Sequence, residues 1–95
     1  MLAIALGRNQ SFRIHEPISK VYTLKAIDPG RSATLQIDLG DEMLILWEGT
    51  DHQFEYAPGL WGTLGVIGFK KPNYDQPITK VIIGVRLPRA IKVTF

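Results

Sequence analysis

Apolar residues that alternate with polar or small ones, in short runs broken by proline, glycine or asparagine, recur along the whole chain. A period of two suits strands, whose successive side chains point to opposite faces, and excludes amphipathic helices. Leu2, Ile4 and Leu6 alternate in this way, as do Leu35, Ile37 and Leu39 within Ala33–Leu39, and His52, Phe54 and Tyr56. Ile18–Ile27 reads as a strand with Ile18, Lys20, Tyr22 and Leu24 on one face. Met43–Trp47 is a continuous apolar run, the pattern of a strand buried on both faces. Leu60–Phe69, with Gly62, Gly65 and Gly68, fits a bent strand or an ordered loop. No capped window of helical period exceeds about two turns. The expected class is all-β, a small antiparallel barrel or sandwich formed by residues 1–95 as one domain.

The last sixteen residues, Lys80–Phe95, set the organisation of the rest. Val81–Val85 and Ala90–Val93 are strand-like runs on either side of the corner Arg86-Leu87-Pro88-Arg89. Pro88 lacks an amide hydrogen and fixes φ, so pairing stops there. Turns elsewhere have similar causes: Asp28-Pro29-Gly30 and Pro58-Gly59 combine a preset φ with a residue that tolerates a positive one. Lys70–Pro77 is a loop.

Charge is segregated along the chain. Met1–Ile27 carries Arg8, Arg13, Lys20 and Lys25 against Glu16, a net +3. Asp28–Phe69 carries Arg31 against seven acids, a net −6, and Lys70–Phe95 carries six cations against Asp75, a net +5. Such asymmetry points to different surfaces for different partners.

The segment V-I-I-G-V-R-L-P-R-A-I-K-V resembles the conserved stretch of the carbon storage regulator (CsrA-type) family, V-[RK]-[IL]-G-[IV]-x-A-P-x-x-[VI]-x-V. Met1–Ile4 and Asn9–Ile14 are similar to that family's M-L-I-L and G-E-[ST]-L-x-I in the same phase. The resemblance covers Met1–Ile27 and Val81–Phe95. It implies a strand-swapped homodimer, in which the first strand of one chain pairs with the last strand of the other. It also implies binding of GGA-containing RNA loops, with Ile4, Pro88 and Val93 at matching positions and Arg89 at a variable, often basic one; Arg8, Arg13 and Lys92, basic residues of the two ends, are the further candidates for phosphate contacts. On this view the two basic ends form one interlocked β unit, and residues 28–80 are an acidic, aromatic insertion between them. The chain departs from the family at the RNA-contacting arginines. Ala5, Leu6 and Gly7 stand where the family continues T-R-R, and Thr94 and Phe95 where its last strand ends in arginine. Each lost charge-assisted contact removes about 1–3 kcal/mol.

Signatures of catalysis are absent from the sequence. His15 and His52 have no carboxylate or second histidine at ligand spacing, and there is no cysteine. Gly62-x-x-Gly65-x-x-Gly68 matches neither phosphate-binding nor dinucleotide fingerprints. The expectation is therefore no enzyme, no metal and no cofactor. No apolar run approaches the length of a membrane span.

The leading functional expectation is a structural or interaction protein that uses its insertion to bind a protein surface, as a component of a larger assembly such as a phage particle. Trp47, Phe54, Tyr56, Trp61 and Phe69 are the contact candidates, although the five could instead bury one another in a second small core. The alternative is a divergent CsrA-like RNA-binding regulator. The expected location is the cytoplasm, or the virion if the gene is carried by a phage.

Overall fold

The computed structural model describes all 95 residues as nine strands and no helix. These are β1 (Leu2–Leu6), β2 (Ser11–Ile14), β3 (Lys20–Asp28), β4 (Ser32–Ile37), β5 (Met43–Trp47), β6 (His52–Ala57), β7 (Leu60–Lys70), β8 (Lys80–Arg86) and β9 (Val93–Thr94). Two antiparallel sheets face each other. One has the order β1-β8-β7-β6 and the other β5-β4-β3-β2-β9. The architecture is an open sandwich; an isolated bridge between Glu48 and Val66 touches the sheets together near the end of β5.

One core fills the space between the sheets. It contains Ile4, Leu6, Val81, Ile83 and Val85 from β1 and β8, and Phe12, Ile14, Leu24, Leu35 and Leu46 from the opposite sheet. Full burial of a side chain of this size stabilises the fold by about 1.5–3 kcal/mol. An aromatic column runs through it. Phe12 stacks on Tyr22 at 5.0 Å, Tyr22 meets Phe54 edge-on at 5.7 Å, and Phe54 lies 6.1 Å from Tyr56. The column joins the sheets, because Phe12 and Tyr22 belong to one and Phe54 and Tyr56 to the other.

Three bulges shift the alternation. In β3 the register slips between Leu24 and Ala26, so Tyr22 and Leu24 are succeeded inward by Ile27. In β6 it slips between Glu55 and Ala57, and Tyr56 and Ala57 are both buried. In β7 it slips between Val66 and Gly68, which exposes Ile67 and turns Phe69 against the core. An extra residue in one strand of a pair bends that strand and re-aims the side chains beyond it.

Within one chain the first and last strands do not pair with each other. β1 pairs with β8 of its own chain, Leu2↔Val85 through Leu6↔Val81. The last strand pairs instead with β2, Arg13↔Thr94 and Ile14↔Val93. The two ends are thus divided between the sheets. Residues 28–80 are not a separate unit, since β4 and β5 extend one sheet and β6 and β7 the other. β8 offers seven residues of ladder, whereas the chain after Pro88 regains strand geometry for only two.

Two smaller expectations also change. The strand after Ser32 ends at Ile37, because Asp38 adopts φ 53° and its Oδ1 accepts a hydrogen bond from the Val21 amide at 3.0 Å. Leu39 therefore lies in the turn and is 98% exposed. Ile18, expected beside Tyr22, precedes β3 and is exposed in the turn around Pro17.

Candidate interaction surface

β5 is the outermost strand of the five-stranded sheet, and no third layer covers that sheet's outer face. Leu46 points into the core and is buried, with Leu44 packed beside it. Met43, Ile45 and Trp47 must then point outward, and they are 47%, 49% and 50% exposed. The run expected to be buried on both faces is covered on one only, because the strand is peripheral.

The ladder fixes what surrounds this stripe. Met43 lies opposite Gln36, Ile45 opposite Thr34 and Trp47 opposite Ser32. On the next strand Gln36 faces Thr23, Thr34 faces Ala26 and Ser32 faces Asp28. Short or polar side chains beside the stripe leave the three apolar groups standing above the sheet. Acids gather around it: Asp38, Asp41 and Glu42 precede β5, Glu48 comes after it, and Asp28 lies two strands in from Trp47; all five are exposed, and the exposed Arg31 lies beside Glu48, whose amide donates to the Arg31 carbonyl at 2.8 Å. Leu39 adds a fourth exposed apolar side chain in the adjoining turn.

The structure sorts the aromatic candidates. Trp47 and Trp61 are about half exposed, whereas Phe54 and Tyr56 are buried and belong to the aromatic column. Phe69 packs partly against the same core. The five neither form a second core nor share one surface. Trp61 stands on the outer face of the other sheet, opposite Glu55.

The basic candidates are also divided. Ile4 is wholly buried, so its side chain faces the core and not a surface. Arg8 is exposed in the turn between β1 and β2, where Asn9 adopts φ 66° and donates its amide to Leu24 O at 2.7 Å. Arg13 projects from β2 and its guanidinium donates to Ser19 Oγ. Lys92 and Val93 lie across from β2, where the Lys92 carbonyl accepts from the His15 amide at 3.1 Å. Arg89 sits apart, in the crossover between β8 and β9. Of the six, Arg13, Lys92 and Val93 share one side of the sheet, opposite the side that β5 occupies.

Sequence reasoning missed Met43 and Ile45. The available signal was the pair of acidic stretches around Met43–Trp47, Asp41-Glu42 before it and Glu48 and Asp51 after it. A strand buried on both faces is an unfavourable neighbour for unpaired carboxylates.

No group of three or more His, Asp or Glu side chains converges to hold a metal ion. No helix is long and apolar enough to cross a membrane. The one group with a shifted ionisation is inside the core: burial raises the Tyr22 phenol above its ordinary value, and the Asp38 and Glu42 carboxylates add to the shift. No family model, no curated protein and no solved structure matches this chain.

Proposed function

We propose that this chain is a non-catalytic interaction protein that docks a partner protein on the outer face and open side of β5, as a component of a larger assembly such as a phage particle. One observation carries the reading: Met43, Ile45 and Trp47 form a half-exposed apolar row on a peripheral strand, with acids at both ends. Covering the exposed half of each side chain contributes about 1 kcal/mol apiece from apolar area. Trp47 is the natural anchor, since aromatic side chains dominate the energetics of interfaces. Free backbone groups along Met43–Leu46 add the option of strand addition, a common mode of peptide capture. The acids favour a partner with basic flanks and repel acidic ones.

A photo-reactive residue placed at Ile45 tests this directly. It should yield one discrete adduct when the chain is expressed in its native host, and the same residue at Lys71, in the loop after β7, should yield none. Sedimentation of the purified chain separates a second copy of itself from a foreign protein as the occupant. No adduct at Ile45, with the chain monomeric, ends the reading.

The CsrA-like RNA reading draws on a different observation, the gathering of Arg13 and Lys92 across the β2–β9 pair. A gel shift with a GGA hairpin tests it. Binding should weaken with salt, and Arg13→Ala and Lys92→Ala should each lower the log–log slope by about 1. Absence of binding at low salt removes it.

A further inference from the structure

The sandwich has four strand edges, β1 and β6 in one sheet and β5 and β9 in the other, and only two of them are blunted. β9 is two residues long, and β6 carries Glu55 and a bulge. Short, charged or bulged edges resist pairing with another chain. β1 and β5 have none of these protections. Each is five residues long, without charge, proline or bulge, and pairs residue for residue with its one neighbour. Beyond those ladders no backbone group of Leu2–Leu6 or Met43–Leu46 makes a backbone hydrogen bond within the chain.

The two open edges are unlike in charge and in size. Exposed cations border both ends of β1: Arg8 and Lys80 lie beyond Leu6, and Arg86 lies beyond Leu2. The exposed acids Asp41 and Glu42 lead into β5. Outward side chains are small on β1, where Ala3 and Ala5 are exposed, and large on β5, where Met43, Ile45 and Trp47 are. Two β1 edges set together would oppose cations, and two β5 edges would oppose acids. β1 against β5 matches opposite charges and sets large side chains beside small ones.

Building on β5 as the docking surface named above, we propose that its occupant is a second copy of this chain, whose β1 adds to β5 as a further strand. β1 and β5 run the same way within one chain, because β1 and β7 are both antiparallel to β8 and Glu48 bridges Val66 in parallel. They lie in opposite sheets and face opposite ways, β1 above β2 and β9, and β5 below β7. Turning a copy over to bring the outer faces level therefore reverses its strands and makes the new pair antiparallel. Residues opposite one another must share a side of the sheet. Of the registers that obey this, the one that sets Arg8 opposite Glu42 of the next copy also sets Ala3 opposite Trp47 and Ala5 opposite Ile45. Ile4 and Leu46 then meet on the core side. Each copy offers a different edge to each neighbour, so the contact is heterologous and propagates as an open series.

Sedimentation of the purified full chain should show species that grow with concentration past a dimer, with a Kd per contact of about 0.1 mM or tighter, and growth should diminish as salt rises. Arg8→Glu and Glu42→Lys alter exposed side chains, and each alone should weaken association by about tenfold. An equimolar mixture of the two variants should grow again, because Glu at position 8 of one then faces Lys at position 42 of the other. The chain has no cysteine, so Ala5→Cys mixed with Ile45→Cys should give a disulfide-linked pair on oxidation, and neither variant alone should give one. A chain that stays monomeric at about 1 mM overturns the proposal. If Ile45 still captures a foreign protein in the native host, β5 remains a docking surface with a different occupant; if it captures nothing, both assignments fall. A mixture of the charge variants that does not recover, or crosslinking within a single-variant sample in place of the mixture, also overturns it.

Discussion

Gly62 and Leu87 are in such close contact that a methyl group added to Gly62 would lie 2.7 Å from Leu87 Cδ2. The same methyl would meet the Arg86 carbonyl oxygen at 2.9 Å and Phe54 Cε1 at 3.0 Å. Gly62 thus lets the crossover from β8 lie down on β7. Gly62→Ala should destabilise the protein by about 1–3 kcal/mol, as overpacking of a close-packed core does. Pairing it with Leu87→Ala should recover only part of that loss, because the Arg86 carbonyl belongs to the backbone and cannot swing aside. Denaturant melts of the two single variants and the double variant measure the coupling.

Tyr22 makes stability fall at alkaline pH. Its phenol is buried and held above its unfolded value of about 10. Below that pH the group is neutral in both states and its contribution is fully present. Above it the unfolded chain releases the proton while the folded chain retains it. Stability should then decline by about 1.4 kcal/mol per pH unit until the folded value is reached. Tyr22→Phe should flatten this part of the profile, and it should stabilise the protein at neutral pH because it deletes a buried hydroxyl without a partner. Urea melts of both proteins at several pH values between neutrality and strong alkali check the slope and its sign.

The alternation of Leu2–Leu6, Tyr22–Leu24, Leu35–Ile37 and Val81–Val85 was enough to read an antiparallel β protein, since the large side chains buried in those strands recur with a period of two. Strand order was not legible. Nothing local in Leu2–Leu6 distinguishes Val81–Val85 from Ala90–Val93 as a partner, because both runs are short, apolar and basic at the margins. Which residues of β5 face solvent was hidden for a related reason: a continuous apolar run has no polar face, so only its peripheral place in the sheet decides exposure.

The outward row on β5 should be separable from the fold. Ile45→Lys and Trp47→Ser alter side chains that are about half exposed, and each should cost less than about 1 kcal/mol of stability. Leu46→Ala, one residue away but wholly buried, should cost about 2–5 kcal/mol. Partner capture by the chain should be lost in the first two variants and retained by Leu46→Ala wherever that variant stays folded. Thermal melts alongside photo-crosslinking from Met43 separate the two outcomes, and retention of the adduct in Ile45→Lys would contradict the assignment of this surface.

The bulge in β7 makes the most specific prediction about register. Val66 lies opposite Ile83, Gly68 opposite Ile82 and Phe69 opposite Val81, so Ile67 is the extra residue of the ladder. Deleting Ile67 should leave these pairs in place and close the bulge, since Val66 and Phe69 keep their inward directions with one outward residue between them. The loss is a half-exposed side chain and its packing over Gly84, which should amount to about 1 kcal/mol. Deleting Val66 removes a buried residue from the middle of the core. The flanking residues must then either leave a cavity or move Ile67 inward across the ladder, at a cost of several kcal/mol. Denaturant melts compare the two deletions, and amide hydrogen exchange in β8 reports whether its pairing to β7 survives. Equal damage from both deletions would mean that the bulge bends the strand in a way the fold requires, and that Ile67 is not dispensable to the register.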